Sequence, residues 1–511
     1  MRKPFVLLTC LLTTMAMPAI AQTSVVNTPV TNQASPRLAP KAVDNFYIAR
    51  NDKNAWAKDA DFESLIIAIA GLDAHGLTPQ HYHLSALMSA RSDPAKRERL
   101  ATDAWLSAAA HMLHGKLDPV SVEPDWTAAK RVGNLPELLT AMLADGTIEQ
   151  SLNALAPKQN GYKSLLAEYA RLKTLAAIPV TKIPSGETLK PNMKSPRVAT
   201  LQARLIQLEL LAPEAVSGVM DEATDIAIKT FQTRQGLDSD GVVGAASLAA
   251  FNRGVDEELA QVRVNLERWR WLPDDLGKRH VRANIAGFNV TTWANNAPVR
   301  THLTMVGKTY RKTPVFSDEI SYVVLNPWWE TPVSLARADN LSKFKRDAST
   351  VDRLGFQILG SDGKEITNVD WSTVTPSTMP RIRQRPGPMN AMGQVKIMFP
   401  NKHNVYFHDT PSRDLFAARQ RAFSSGCLRT QDPIGLTKWL FEDTPDWTAE
   451  KIDAALASGK ETRANLSSKI PVHVLYFTVV SEADGNVRYL DDIYQRDNAV
   501  LTGLRVAPRP S

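Results

Sequence analysis

The sequence predicts a multidomain α+β protein: a helical half, a small three-helix unit, and a mainly β domain carrying an insertion. Three observations lead there. Apolar residues recur at spacings of three and four up to about residue 178, a proline-rich stretch then interrupts them, and after Arg253 the pattern changes to short β-branched and apolar runs. A chain of 511 residues, 43% hydrophobic and 22% charged, is globular in composition and long enough for several domains.

At the N-terminus, Arg2 and Lys3 precede a largely apolar run over 4–17, and Ala19-Ile20-Ala21 before Gln22 has the small-residue pattern of a cleavage site. Residues 1–21 are expected to be an export signal and 22–40, rich in Thr, Asn, Ser and Pro, a flexible leader. Cys10 lies inside the apolar run rather than at its end, so lipidation is not expected. No later stretch reaches about 18 uninterrupted apolar residues, so no stable membrane insertion is expected.

Residues 41–178 read as a helical scaffold. Phe62, Leu65, Ile66, Ile69 and Leu72 share one helical face, and Trp105, Ala108, Ala109, Met112 and Leu113 repeat the pattern before a stop at Gly115. The prolines and polar residues of 179–194 suggest a linker. In 195–253, Val198, Leu201, Leu205 and Leu208 form one stripe and Thr224, Ile228 and Phe231 another, before a turn at Asp240-Gly241 and a last apolar pair, Leu248 and Phe251. Gly218, Asp221, Thr224, Phe231-Gln232, Gly236-Leu237, Asp240-Gly241 and Gly244 resemble the pattern of the three-helix peptidoglycan-binding domain. The bland alternative is a helical spacer.

Residues 254–498 read as mainly β, with strand-like runs at 280–285, 303–306, 321–325, 395–399, 405–407 and 472–480, and a hairpin turn at Asp484-Gly485-Asn486. Helices are expected over 433–441 and after Thr448, ending near Gly459. Between about 328 and 385 the strand pattern loosens into a polar, partly helical insertion, the length and place of a lid or specificity element. Residues 499–511 are expected to be a tail.

The formal charge of +7 is interspersed with acidic residues. It suits an anionic polymer as partner, while the export signal and the lack of a basic stripe interleaved with aromatics exclude nucleic acid. The histidines show no metal-ligand pattern, so no metal and no cofactor are expected.

Removing the signal leaves one cysteine, Cys427, in Ser424-Ser425-Gly426-Cys427-Leu428-Arg429. An exported lone cysteine has no internal disulfide partner, and the Ser-Ser-Gly run offers little apolar bulk to bury a sulfur, which points to a reactive thiol. A thiol with pKa about 8.5 needs help to ionise, and a neighbouring imidazolium favours the thiolate. His408, delivered by the strand Val405-Tyr406-Phe407, is the expected partner. Its competitor His403 lies in a polar turn and is expected to be solvated. Backbone N–H groups of Gly426 and Cys427 are candidate oxyanion donors. Arg429 would bind a substrate carboxylate or brace the loop, and either the Asp409 side chain or a backbone carbonyl would orient His408.

His408-Asp409-Thr410 followed by 424–429 resembles the signature of the L,D-transpeptidase (YkuD-like) catalytic domain. Asn265–Pro273, Asn326-Pro327-Trp328-Trp329 and Arg385–Asn390 are similar to segments of its large periplasmic subgroup, which joins a helical scaffold, a peptidoglycan-binding module and a capped catalytic domain. The resemblance implies catalytic Cys427 and His408, oxyanion or substrate contacts at Gly426, Ser425, Arg429 and Tyr406, and a periplasmic enzyme. Cys427 would attack the bond between diaminopimelate and the terminal D-alanine of a tetrapeptide stem, and a second diaminopimelate amine would resolve the acyl-enzyme as a 3→3 cross-link. Hydrolysis by an L,D-carboxypeptidase, attachment of a lysine-bearing lipoprotein, and a non-catalytic wall-binding scaffold remain alternatives. Carbapenems as inhibitors and cell-wall synthases as partners are further implications. Many members have histidine where this chain has Ser425.

Overall fold

The computed structural model describes residues 38–482 and 485–508. The expected signal segment, nearly all of the leader, and Asp484 of the expected hairpin turn lie outside them. Helices Asp59–Gly71 and Pro94–His114 form where the periodicity puts them, and Phe62, Leu65, Ile69, Trp105, Ala108 and Met112 are buried between them and their neighbours. Gly115 ends the second helix at φ +87, and Trp271 packs so closely on it that a Cβ would collide.

In the three-helix unit, Ser195 caps helix Pro196–Gln207 and Asp221 caps Glu222–Arg234, each side chain accepting a backbone N–H of the first turn. Helix Ala245–Phe251 completes it, with the Phe251 ring stacked on Phe231 at 3.8 Å. The stretch 179–194 is docked rather than free. Ile183 and Leu189 are buried, Leu189 bridges to Val243, and the Asn252 side chain holds the Ile183 backbone by both its N–H and C=O. Its prolines deny it regular structure, but its few apolar residues find the helical surface.

The β domain contains β1 (Arg279–Asn284), β2 (Asn289–Ala294), β3 (Ala297–Gly307), β4 (Phe316–Leu325), β5 (Trp329–Glu330), β6 (Phe356–Leu359), β7 (Arg381–Gln384), β8 (Val395–Met398), β9 (Phe407–His408), β10 (Ala422–Ser424), β11 (Leu428–Thr430) and β12 (Thr462–Leu475). The main sheet is ordered β10-β3-β11-β9-β8-β4-β12-β1-β2, and β2 also pairs with β3. That pairing closes the sheet into a barrel and leaves β10 as a spur. Val281, Val290, Val323, Ile397, Phe407, Leu428 and Val472 fill one apolar cluster. Helices Pro433–Leu440 and Ala449–Ala457 cover it with Leu436 and Ile452, and Thr448 caps the latter through Lys451 N–H.

The insertion is built more regularly than its sequence suggests. Strands β5-β7-β6 form a sheet of their own over a separate core of Phe344, Phe356, Trp371 and Ile382. It leaves the barrel after β4 and re-enters at β8, and its roots are tied by Asn326 N–H to Gln394 C=O, 2.8 Å. Because β4 and β8 are neighbours, both roots stand at one end of the barrel.

After β12 the chain returns to the helical half. The hairpin of β13 (Val479–Ser481) and β14 (Val487–Tyr489) and the helix Asp497–Arg505 place Val479, Val487, Tyr489, Val500 and Leu504 in the apolar cluster that also holds Phe62 and Trp105. The expected tail from 499 is therefore corrected: residues 497–505 are helical, and Arg268 pairs with Asp497 at 2.6 Å. Helix Asp256–Arg270 belongs to the same cluster through Val262 and Leu266, with Glu267 and Arg270 forming a fully buried ion pair. No helix among the described residues is long and apolar enough to cross a membrane.

Candidate active site

The register of three short strands gathers the site. β11 pairs with β9 in parallel, Leu428 opposite Phe407 and Arg429 opposite His408, while β8 pairs with β9 so that Lys396 also faces His408. Side chains alternate along a strand, so Phe407, Leu428 and Ile397 enter the core. Tyr406, His408, Arg429 and Lys396 are left on the other face, and Cys427, one residue before β11, joins them beside Tyr406. The Tyr406 and His408 rings lie 5.7 Å apart, and the Lys396 ammonium sits over the Tyr406 ring at 4.1 Å.

His408 is buried, and its Nδ1 bonds the backbone carbonyl of Asp409 at 2.6 Å. The Asp409 carboxylate is engaged elsewhere, accepting from Gln394 N–H and the Arg413 guanidinium. Of the two expected orienting groups, the backbone carbonyl is the one in contact. This contact sets the tautomer: Nδ1 carries the proton and Nε2 keeps its lone pair. His403 is not solvated as its polar turn suggests; it packs against the Phe316 ring and lies 3.6 Å from Asp125 of the helical half.

The Cys427 thiol donates to the carbonyl of Asn404 at 3.5 Å. Asn404 adopts φ +53 in a loop braced by Asn401, whose side chain bonds the backbones of Phe399, His403 and Val405. Around Cys427, Ser424 Oγ accepts from Gly426 N–H at 3.0 Å and donates to Cys427 C=O at 2.6 Å. Thr313 Oγ1 donates to Gly426 C=O while accepting Gly307 N–H, both at 2.9 Å. Gly426 takes φ +122, which a side chain would strain. The Gly426 N–H is thus occupied rather than a free oxyanion donor, whereas the Cys427 N–H has no hydrogen bond among the described residues.

Ser425 is exposed and its hydroxyl accepts from Arg311 at 3.0 Å. The Arg429 guanidinium has no hydrogen-bond or ion-pair partner among the described residues, and its Nε is buried. Lys396 has none either; the charges that reach it are the Cys427 sulfur when ionised and, after it, Glu461, which accepts from Trp328 N–H at 2.6 Å. Neither Lys396 nor the brace Thr313 stands out in the sequence, where they read as ordinary strand and turn residues, and Ser424 stands inside the 424–429 motif without any sign there of its bracing role.

Burial drives the electrostatics. It holds His408 down to about 3, with help from the Arg429 and Lys396 charges, so the imidazole is neutral near pH 7. It also pushes the Cys427 thiol up, against hydrogen bonds from Tyr406 and the fields of Lys396 and Arg429, which pull it down. The expected imidazolium–thiolate pair is replaced at rest by a neutral imidazole and a thiol. The face presents unpaired cations, Arg429 and Lys396, to an anionic ligand.

Residues 278–449 match the L,D-transpeptidase catalytic domain family (YkuD), 41–168 a scaffold domain, and 194–251 a family described as "Putative peptidoglycan binding domain". A Haemophilus influenzae protein described as "Putative L,D-transpeptidase" is 32% identical over 242 residues, 47% of this chain and 48% of that relative. The match therefore spans about half the relative's length. The solved L,D-transpeptidase from Xylanimonas cellulosilytica aligns at 14% identity and TM-score 0.18, covering 57% of this chain and 99% of that one. That from Stackebrandtia nassauensis aligns at 11% identity and TM-score 0.21, covering 58% and 97%. The chain contains an L,D-transpeptidase catalytic domain of the YkuD family, preceded by a scaffold domain and a peptidoglycan-binding-type domain.

Proposed function

We propose that this protein is a peptidoglycan L,D-transpeptidase that works through an acyl-enzyme on Cys427. The observation that carries this reading is the shared face of β9 and β11, where a thiol, a neutral imidazole fixed by a backbone carbonyl, and an unpaired guanidinium stand together. Family membership supports enzymatic activity in the broader sense.

His408 Nε2 takes the thiol proton as sulfur attacks the carbonyl carbon of the diaminopimelate–D-alanine amide. The carbonyl oxygen becomes an oxyanion facing the Cys427 N–H. As the C–N bond breaks, the imidazolium returns the proton to the leaving nitrogen, D-alanine departs, and a thioester remains. The amine of a second stem attacks the thioester and gives its proton to His408, and the thiolate recovers that proton as the 3→3 amide is released. Arg429 holds a carboxylate of the donor stem, the reading its lack of a protein partner favours over loop bracing. Export to the periplasm, acylation by carbapenems and contact with cell-wall synthases belong to the same proposal.

The test is incubation of the purified protein with disaccharide-tetrapeptide, followed by mass spectrometry. Tetra-tri dimers with released D-alanine are expected; tripeptide alone would instead make the enzyme a carboxypeptidase. Cys427→Ala should lower cross-linking by at least about a thousandfold. Cross-linking retained in that variant would overturn the mechanism.

A further inference from the structure

Lys396 is unused by the mechanism just given, yet it is a half-buried ammonium on the face of the nucleophile, with no hydrogen bond or ion pair among the described residues. Buried charge without a partner is costly, and proteins retain it chiefly where a ligand supplies the missing counter-charge. Tyr406 accounts for only part of its environment, through the ring beneath the ammonium at 4.1 Å.

Its position across the strands tells which ligand group it meets. β9 lies between β11 and β8, so the face runs from Cys427 and Arg429, through Tyr406 and His408, to Lys396. Neighbouring strands are about 4.8 Å apart, which puts the lysine's strand two spacings from the sulfur's, with the imidazole between. The sulfur bonds to the acyl carbon, and the imidazole must protonate the leaving nitrogen. The leaving residue therefore lies on the imidazole side of the sulfur, and its carboxylate, one carbon beyond that nitrogen, extends toward β8.

Resting on the proposed reaction, we infer that Lys396 binds the terminal carboxylate of the residue released in acylation and so restricts the donor to stems with a free C-terminal carboxylate. Arg429, on the strand of the nucleophile, is left for a carboxylate of the acyl portion. Lys396 is in this sense a specificity residue: losing its charge near the thiol slows both donors alike, whereas losing the carboxylate contact acts on the acid donor alone, so the ratio between donors isolates the contact.

The experiment compares two donors, the disaccharide-tetrapeptide and the same molecule with a C-terminal carboxamide, in the full-length wild type and in Lys396→Met, Lys396→Gln and Lys396→Arg. The wild type should prefer the acid by about tenfold or more in kcat/KM, mostly through KM, as expected for one charge-assisted contact. The preference should fall toward unity in Met and Gln, because the acid loses its contact while the amide never had it, and it should persist in Arg. A wild type indifferent to the two donors, or a preference unchanged in Met and Gln, would overturn the inference. If Lys396→Met is too unstable to assay, Lys396→Gln gives the same ratio. Cross-linking that survives Cys427→Ala would refute the reaction itself, a different result from an unchanged ratio.

Discussion

Ser424→Ala probes how tightly the nucleophile must be held. The hydroxyl makes two contacts inside one turn, accepting Gly426 N–H at 3.0 Å and donating to Cys427 C=O at 2.6 Å. Ser424 is 2% exposed, so water does not replace both contacts readily, and each backbone group left unsatisfied costs about 1–3 kcal/mol. A combined loss of roughly 2–6 kcal/mol is enough for the turn to relax, since Gly426 at φ +122 tolerates many other conformations. Relaxation would move the Cys427 sulfur and N–H together. A displacement near 1 Å costs about a hundredfold in rate, so kcat should fall by roughly that factor while KM changes little. The assay is D-alanine release at saturating tetrapeptide, with circular dichroism to verify the fold. A folded variant with kcat within about threefold of wild type would show that the turn keeps its shape without the serine, refuting this account of the braces.

A neutral resting pair predicts a flat pH–rate profile. With His408 held down to about 3, acylation should keep its rate between about pH 5 and 7, and a descending limb near pH 6 to 6.5 would contradict the neutral imidazole. Stability should behave differently. Burial lowers His75, His280 and His473 to about 4 and His111 and His408 to about 3, below the value of about 6.5 expected when unfolded. The unfolded chain then binds more protons in that window, so stability declines as pH falls from about 6.5 toward 3; urea midpoints equal at pH 7 and pH 5 would disprove it. Glu267→Gln leaves the Arg270 guanidinium charged at 0% exposure and should destabilise by about 3–5 kcal/mol, measured by urea unfolding. A loss under about 1 kcal/mol would mean that Tyr162 and the His75 carbonyl, which accept from Arg270, suffice alone.

Helix periodicity is legible in the sequence, as is the candidacy of Cys427 and His408, which the β9–β11 register puts on one face, because each is encoded within a few residues. Phe62 to Leu72 need only a helix to share a face, and a glycine turn before a cysteine is visible locally. What stayed hidden depends on pairing between distant segments. Lys396 is the polar member of an alternating Val-Lys-Ile strand, and only the β8–β9 register puts it opposite His408. His403 looks solvated until Asp125, from the helical half, arrives beside it. The Gly426 N–H looked free because the reach of Ser424 Oγ depends on the turn angle. In the insertion, two- and four-residue strands are too short to show alternation, so the sequence of the sheet β5-β7-β6 carries only a loosened strand pattern. Residues 499–505 carry no local sign of docking because their partner, helix Asp256–Arg270, lies far upstream.

The return of the last segment to the helical half bears on when that half can mature. Its apolar cluster contains Val43 and Phe46 from the beginning of the described chain and Val500 and Leu504 from its end, with the whole barrel threaded between them. Such a core has contacts at nearly the longest sequence separation available, and loop-closure entropy makes those contacts slow to form. Helix Pro40–Ala49 and its neighbours therefore wait, with an apolar face still open, for helix Asp497–Arg505. Until helix Asp497–Arg505 docks, the helical half keeps an unfilled apolar face, and that docking is the step that completes its core.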